Sequence, residues 1–330
     1  MKTKQILEKI TPEIKEKEIE KINNLKLPKE LRKWVDEYKK VGGERDDFIW
    51  KWTYFGMHLY TLSSVRKTDI EDVCILKTIN IIIDVLVDDI IDKRKNICML
   101  EEAINCFSFE KNGTNFNKKK FDKEDLRYLS LVKDAWDYIE RKIKKYPRYK
   151  EFKDIYIFDY RQFINSLRFS YLVLKNLYII NKTEFYIYQP ANMFAMISMD
   201  IDLMNSPMFN INELGKMREV SWYSQEVLRI GNWISTWERE VRDADFTSGV
   251  FAYAIDSGFI KYNDLQKGKE KDIIKKIKNS KAEDELLKEW EWYYKKIESF
   301  DDKIKSVDVK KINKGLKKFL IMHLTSIGYK

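Results

Sequence analysis

Histidine is nearly absent: His58 and His323 are the only two in a chain of 330 residues. That excludes His-based zinc centres and most imidazole acid-base mechanisms, and both read as ordinary helix residues. Glycine (11) and proline (5) are scarce as well. No Gly, Pro or Ser-rich linker divides the sequence, so residues 1–330 read as one domain of long helices, with 1–28 a peripheral N-terminal helix. The three cysteines, Cys74, Cys98 and Cys106, have no CxxC spacing. They fit free core thiols in a reducing cytoplasm rather than a disulfide framework or a metal site. No stretch approaches eighteen clean apolar residues, and the start MKTKQILEKITPEIKEKEIEKI alternates charged with apolar positions. Neither stable membrane insertion nor a signal peptide is therefore expected, and the localisation reads as cytoplasmic.

What the chain does have is charge of both signs. Its 62 Lys and Arg against 53 acids give a formal net charge of +9. They lie in mixed segments such as KGKEKDIIKKIKNSKAEDELLKEW, the composition of solvated helix faces. No basic block with interleaved aromatics appears, so no nucleic-acid partner is expected. A positive surface would still steer an anionic substrate. The 44% hydrophobic content supports a full-sized core.

Apolar residues recur at three and four positions through TDIEDVCILKTINIIIDVLVDDIID, DLRYLSLVKDAWDYIERKI and INELGKMREVSWYSQEVLRIGNWISTWEREV. Hairpin signals are missing, so the fold class is all-α, with about a dozen helices. The helix from 68 to 92 is apolar on nearly every side in its second half (INIIIDVLV), which places it centrally in a bundle. A second long helix is expected over 208–244. Pro190 interrupts a helical pattern and predicts either a kink facing a cavity or a simple turn.

Two stretches carry the chemistry. DDIID places Asp88 and Asp92 on one helical stripe with Asp89 on its flank, so two carboxylates can grip a cation. Magnesium takes such oxygen ligands and completes its shell with water and substrate phosphates. In NWISTWERE, Asn232, Thr236 and Glu240 follow each other by four and four, putting an amide oxygen, a hydroxyl and a carboxylate on one ridge. Arg229 and Arg239 fall beside the same arc and offer guanidinium forks to phosphate oxygens. Below the ligands, Ile81, Val85, Trp222 and Gln225 are the candidate pocket residues. Asp84 lies one turn deeper than Asp88, where pairing with a Lys or Arg is expected. Trp50, Trp52, Phe55, Phe163 and Phe194 are looser candidates for pocket walls.

The two motifs, their order, their separation and the chain length resemble the class I terpene synthases (terpene cyclases) of the microbial type. In LRIGNWISTWEREVRDADFTSGV, the places of Arg229, Arg239 and Asp245 match that family's pattern around the second motif. The resemblance implies a class I terpenoid synthase-like helical bundle around a central apolar pocket, with three Mg2+ ions at its mouth. It implies a carbon-oxygen lyase that ionises a linear prenyl diphosphate, geranylgeranyl or farnesyl, and cyclises the carbocation to a hydrocarbon or alcohol. Asp88 would bind two ions with help from Asp92, and Asn232, Thr236 and Glu240 would hold the third. Asp89 would pair with a basic residue when the pocket closes. Arg229 and Arg239 would bind diphosphate, and a homodimer is implied by many members.

The chain departs from the family in three places. Gln189 or Pro190 stands where an arginine is usual in the kinked helix. Gly328 and Tyr329 stand where an Arg-Tyr pair is usual, so Tyr329 and Lys330 become the diphosphate-binding candidates near the C-terminus, together with Arg229. Trp233 follows Asn232 where Asp is common. Two rival readings share the helical class: a prenyl diphosphate synthase, which would show a second Asp-rich motif where Asn, Thr and Glu stand here, and a degenerate prenyl-lipid-binding protein.

Overall fold

Polar caps and apolar stripes together fix where the helices start and what they bury. The computed structural model of the chain describes residues 10–109 and 120–329. Among them all regular structure is helical, and the α-helices in chain order are α1 (Pro12–Asn23), α2 (Lys29–Lys40), α3 (Asp47–Leu59), α4 (Ile70–Asp89), α5 (Ile97–Ile104), α6 (Lys123–Ile143), α7 (Tyr149–Lys175), α8 (Lys182–Tyr188), α9 (Ala195–Met204), α10 (Leu214–Asp243), α11 (Gly249–Asp256), α12 (Tyr262–Lys267), α13 (Glu270–Lys278), α14 (Ala282–Glu298) and α15 (Val309–Thr325). Side-chain oxygens start several of them: Asp46 accepts from the Phe48 amide at α3, Asp122 from Asp125 at α6, and Asp308 from Lys311 at α15. No described helix is long and apolar enough to cross a membrane.

Helix α4 is central, as its all-round apolar sequence requires. Val73, Leu76, Ile79, Ile82, Ile83, Leu86 and Val87 are all buried, and α4 packs against α2, α3 and α6. The long helix α10 meets α14 and α15 on one side and α9 on another. Between α3, α4, α10 and α15 lies a cavity. Helix α1 is peripheral, burying only Ile19 and Ile22 and packing on α3 and α15. Cys74 and Cys106 are buried, whereas Cys98 is exposed and is not a core thiol; it sits in the first turn of the short helix α5, on the side away from Met99 and Leu100.

The pattern broken by Pro190 resolves into both features that the sequence leaves open. After α8 a 3-10 turn runs from Gln189 to Met193, and Phe194 adopts left-handed φ (57°) before α9 begins. A non-glycine residue in that region is strained and survives only where packing imposes it; Phe194 is buried with its ring 4.5 Å from that of Phe163. The turn also faces the cavity, through Asn192 and Met193.

Candidate functional site

The cavity measures about 190 Å³ and has both polar and apolar walls. Asp88, Asp92, Asn232, Thr236, Arg239, Glu240, Asp245 and Arg45 are among its polar lining residues, and Ile49, Met57, Ile81, Val85, Leu228 and Phe319 among its apolar ones, with Thr53, Tyr60, Asp84, Ser170, Ser198 and His323 also on its walls. The structure therefore brings both motifs, 140 residues apart in sequence, to one opening.

On the α4 side the helix changes pitch within the motif. Ile90–Arg94 forms a π-helical turn, ended by Lys95 in the left-handed region (φ 50°). Widening the turn keeps Asp92 on the cavity side with Asp88, and such turns recur at functional sites. Asp89 faces the other way: the Tyr38 hydroxyl donates to it at 3.1 Å, and Lys93 and Arg45 lie 3.3 and 3.9 Å away.

On the α10 side, the Thr236 hydroxyl donates to Glu240 at 2.6 Å, and Arg229 donates to the Asn232 amide oxygen at 3.3 Å. Another amino group of Arg229 donates to Gln189, whose own amide donates to Ser170 at 3.0 Å. The arginine is thus held from the 3-10 turn by Gln189, one of the two residues expected to stand where this chain lacks the arginine usual in the resembled family. Just after α10, Ala244 takes a left-handed φ of 54°, and the Asp245 amide donates back to the Glu240 carbonyl at 2.9 Å. This C-terminal reversal brings Asp245 beside Glu240 at the end of the Asn232, Thr236, Glu240 ridge. The backbone amide and hydroxyl of Thr247 then donate to Asp245 at 2.9 and 2.7 Å.

Electrostatics set the acids of the cavity apart. Burial, then Asp245, pushes Asp88 up to about 6; burial, then Asp245, pushes Glu240 up to about 7. Burial and then Asp88 hold Asp92 well above the carboxylate range, and burial and then Asp88 do the same to Asp84. Like charges crowded out of water raise one another in this way, and a cation placed among them would reverse the effect. Arg229 is lowered by burial, the neighbouring acids opposing that shift.

Arg45 is the functional candidate that motif reading misses. It reaches the cavity from the loop before α3, where the pull of Asp89 and Asp88 outweighs its burial and keeps its charge firmly on. Its placement depends on two glycines. Gly42 sits at φ 87°, and a Cβ on Gly43 would meet the Tyr38 ring at 2.3 Å. The Tyr38 hydroxyl in turn accepts from the Arg45 amide at 3.3 Å. Only the dipeptide GG in KVGGERDD signals this turn in the sequence. His323 is likewise more than an ordinary helix residue: it lines the cavity, with its ring 3.3 Å from the Ser235 hydroxyl.

Other expectations require correction. Trp222 is 42% exposed and lies outside the cavity. The ligand ridge steps by four and rotates about 40° each time, so traced backward from Asn232 it passes through Leu228 and Ser224, not Trp222. Gln225 is buried but holds the start of α9, accepting from the Met196 amide at 3.5 Å, and is not a cavity wall. Tyr329 is half exposed on the outside, its ring 5.8 Å from Phe48, because the chain turns away after α15 through Gly328 (φ 86°). Lys330 lies outside the described residues. Trp52 does line the cavity, whereas Trp50, Phe55, Phe163 and Phe194 do not. The described residues place no Lys or Arg in an ion pair with Asp84, and its Oδ1 is buried without a hydrogen-bond partner.

No protein-family model matches the sequence, and no curated protein matches it. Among solved structures the chain is similar to the linalool/nerolidol synthase of Streptomyces clavuligerus, determined in complex with 2-fluorogeranyl diphosphate, at a TM-score of 0.54. The likeness covers 89% of this chain and 96% of that one at 5% sequence identity. The fold is that of a terpene synthase. At this identity the likeness speaks of architecture alone.

The donor set fits magnesium. Among the described residues no three acidic, His or Cys side chains converge tightly enough to cage an ion by themselves. Magnesium does not need such a cage, since it takes one or two carboxylates and fills its octahedron with water and phosphate oxygens. The buried Glu240 Oε2 has no hydrogen-bond partner, and a cation beside Asp88, Asp92 and Glu240 would relieve the repulsion that raises them.

Proposed function

We propose that this chain is a class I terpene synthase, a carbon-oxygen lyase that ionises a linear prenyl diphosphate and cyclises the resulting carbocation. The observation that carries this reading is the meeting of Asp88 and Asp92 with Asn232, Thr236 and Glu240 on one cavity that Ile49, Met57, Ile81, Val85, Leu228 and Phe319 also line. Asp88 and Asp92 would hold two Mg2+ ions and the Asn232, Thr236, Glu240 ridge a third. Bound there, magnesium would neutralise charge on the departing diphosphate.

The chain's own groups supply the rest. Arg45, Arg229 and Arg239 line the mouth and would donate charge-assisted hydrogen bonds to the phosphate oxygens, aimed at charge that grows as the carbon-oxygen bond breaks. Asp89, already near Arg45 and Lys93, would anchor that side of the opening. Met57, Ile81, Val85, Leu228 and Phe319 keep water from the hydrocarbon part, and the faces of Trp52 and Phe319 can stabilise a passing cation. The Asn-Thr-Glu ridge, in place of a second Asp-rich motif, favours cyclisation over chain extension.

The test is incubation of purified protein and magnesium with geranyl, farnesyl and geranylgeranyl diphosphates, each with and without isopentenyl diphosphate, followed by mass spectrometry of the extract. A hydrocarbon or alcohol formed from the farnesyl or geranylgeranyl substrate without isopentenyl diphosphate is expected. A longer diphosphate formed only in its presence would replace this reading with chain elongation, and no product from any substrate would leave a binding protein.

A further inference from the structure

Asp84 precedes Asp88 by one helical turn on α4 and lines the same cavity, about 6 Å farther along the helix axis from the mouth. Its neighbours on that face are Ile81 and Val85, with Leu228 and Phe319 also lining the cavity. Its Oδ1 is buried and accepts no hydrogen bond. The next polar side chain down the helix cannot help it: Asn80 accepts from the Tyr160 hydroxyl at 2.5 Å and donates to the Leu76 carbonyl at 3.1 Å. An ionised carboxyl in such a wall is costly unless something in the cavity compensates it. Arg229 and Arg45 act on it from the same cavity without hydrogen-bonding it, and the diphosphate would draw those arginines to the mouth, which leaves the hydrocarbon part of the substrate, once cationic, as the positive charge at the depth of Asp84.

Resting on the function proposed above, we infer that the Asp84 carboxylate is the proton acceptor that ends the reaction. In this step the C–H bond beside the cationic carbon breaks, its electron pair forms the new C=C bond, and the proton passes to an Asp84 oxygen. A neutral hydrocarbon and inorganic diphosphate result. Positive charge in the cavity favours the ionised form of the carboxyl, and a carboxylate kept from water is a stronger base than one in solution. The assignment predicts a hydrocarbon as the main product, since an acceptor placed against the cation competes with capture by water.

The test compares wild type with Asp84→Asn, which keeps the shape, and Asp84→Ala, which opens space. Three quantities are read: the thermal shift caused by magnesium with inorganic diphosphate, the rate of diphosphate release from the prenyl substrate, and the product profile. In the Asn variant the thermal shift stays, diphosphate release stays within about threefold, and the hydrocarbon share falls about tenfold or more in favour of alcohols or other isomers. Asp84→Ala gives the same direction, and serves alone if the Asn variant does not fold. An unchanged product profile overturns the inference. So does loss of the thermal shift together with diphosphate release, which would make Asp84 part of the metal site, and so does a wild type that yields only alcohol. Absence of diphosphate release from wild type with every prenyl substrate would instead refute the terpene synthase reading itself.

Discussion

Helix α4 buries charge at two levels, and it treats the two differently. At its middle, Lys77 and Asp202 of α9 are both fully buried, 2.6 Å apart. Asp202 also accepts from the Leu62 amide at 2.9 Å, and Lys77 donates to Thr61 at 3.2 Å. About two to four turns on, Asp84, Asp88 and Asp92 line one cavity with Glu240 and Asp245, and none of these five forms an ion pair within the described residues. A buried carboxylate that a lysine on the next helix and a backbone amide already hold is a structural solution. Buried acids that push one another's pKa up are tolerated only if something outside the chain resolves them, and that is the mark of a cation site. The first region ties α4 to α9; the second is where the proposed cation would act.

If that contrast is right, the two regions should respond in opposite ways to loss of a side chain. The largest effect is expected at the cavity mouth: Asp88→Ala and Glu240→Ala should each cut turnover about 10²–10³-fold or more, with helical circular dichroism intact and a melting temperature equal to or above wild type. Retained activity in both would break the assignment. Lys77→Met should do the reverse, removing about 3–5 kcal/mol of stability because Asp202 is left buried and unpaired, as read by urea unfolding. Combining it with Asp202→Leu should restore most of that loss. Arg45→Ala is a smaller step: loss of one charged hydrogen bond to phosphate should weaken diphosphate binding by about 10 to 100-fold, with stability little changed, whereas an unchanged affinity would remove Arg45 from the mouth.

The smallest effect sharpens the comparison from a third place. Glu226, buried on the face of α10 toward α14, is pushed up to about 8 by burial and then by Glu289. Its folded-state pKa is above the unfolded value, so the folded protein holds the proton more tightly between about 4.5 and 8, and stability falls as pH rises through that window. Glu226→Gln should flatten the decline in melting temperature between about pH 5 and pH 8 by a few degrees, with catalysis unaffected. An identical decline in the variant would place the cause elsewhere.

The sequence made the helical class and both ligand ridges legible, because a period of 3.6 and a spacing of four are local properties of one helix. Asp89 turning from the cavity was readable on the same grounds. What escaped was everything that depends on another element. Arg45 arrives at the mouth through the Gly42–Gly43 turn and Tyr38, 43 residues before Asp88. The link from Gln189 to Arg229 crosses between the 3-10 turn and α10. Trp222 fails for a related reason, since a helical wheel gives an angle and says nothing of what the helix meets at that height. Tyr329 was placed by analogy of position, while the local chain direction is set by Gly328. Asp84 was expected to find a cation, and the apolar wall around it is assembled from four helices that the sequence does not order in space.

The central claim, that the unpaired acids of the mouth form a magnesium and diphosphate site, is tested most directly by thermal unfolding with both ligands. Magnesium and inorganic diphosphate together should raise the melting temperature of wild type, in proportion to the logarithm of ligand concentration above saturation, while neither Asp88→Asn nor Glu240→Gln should respond. No shift in wild type, or an equal shift in all three proteins, would contradict it.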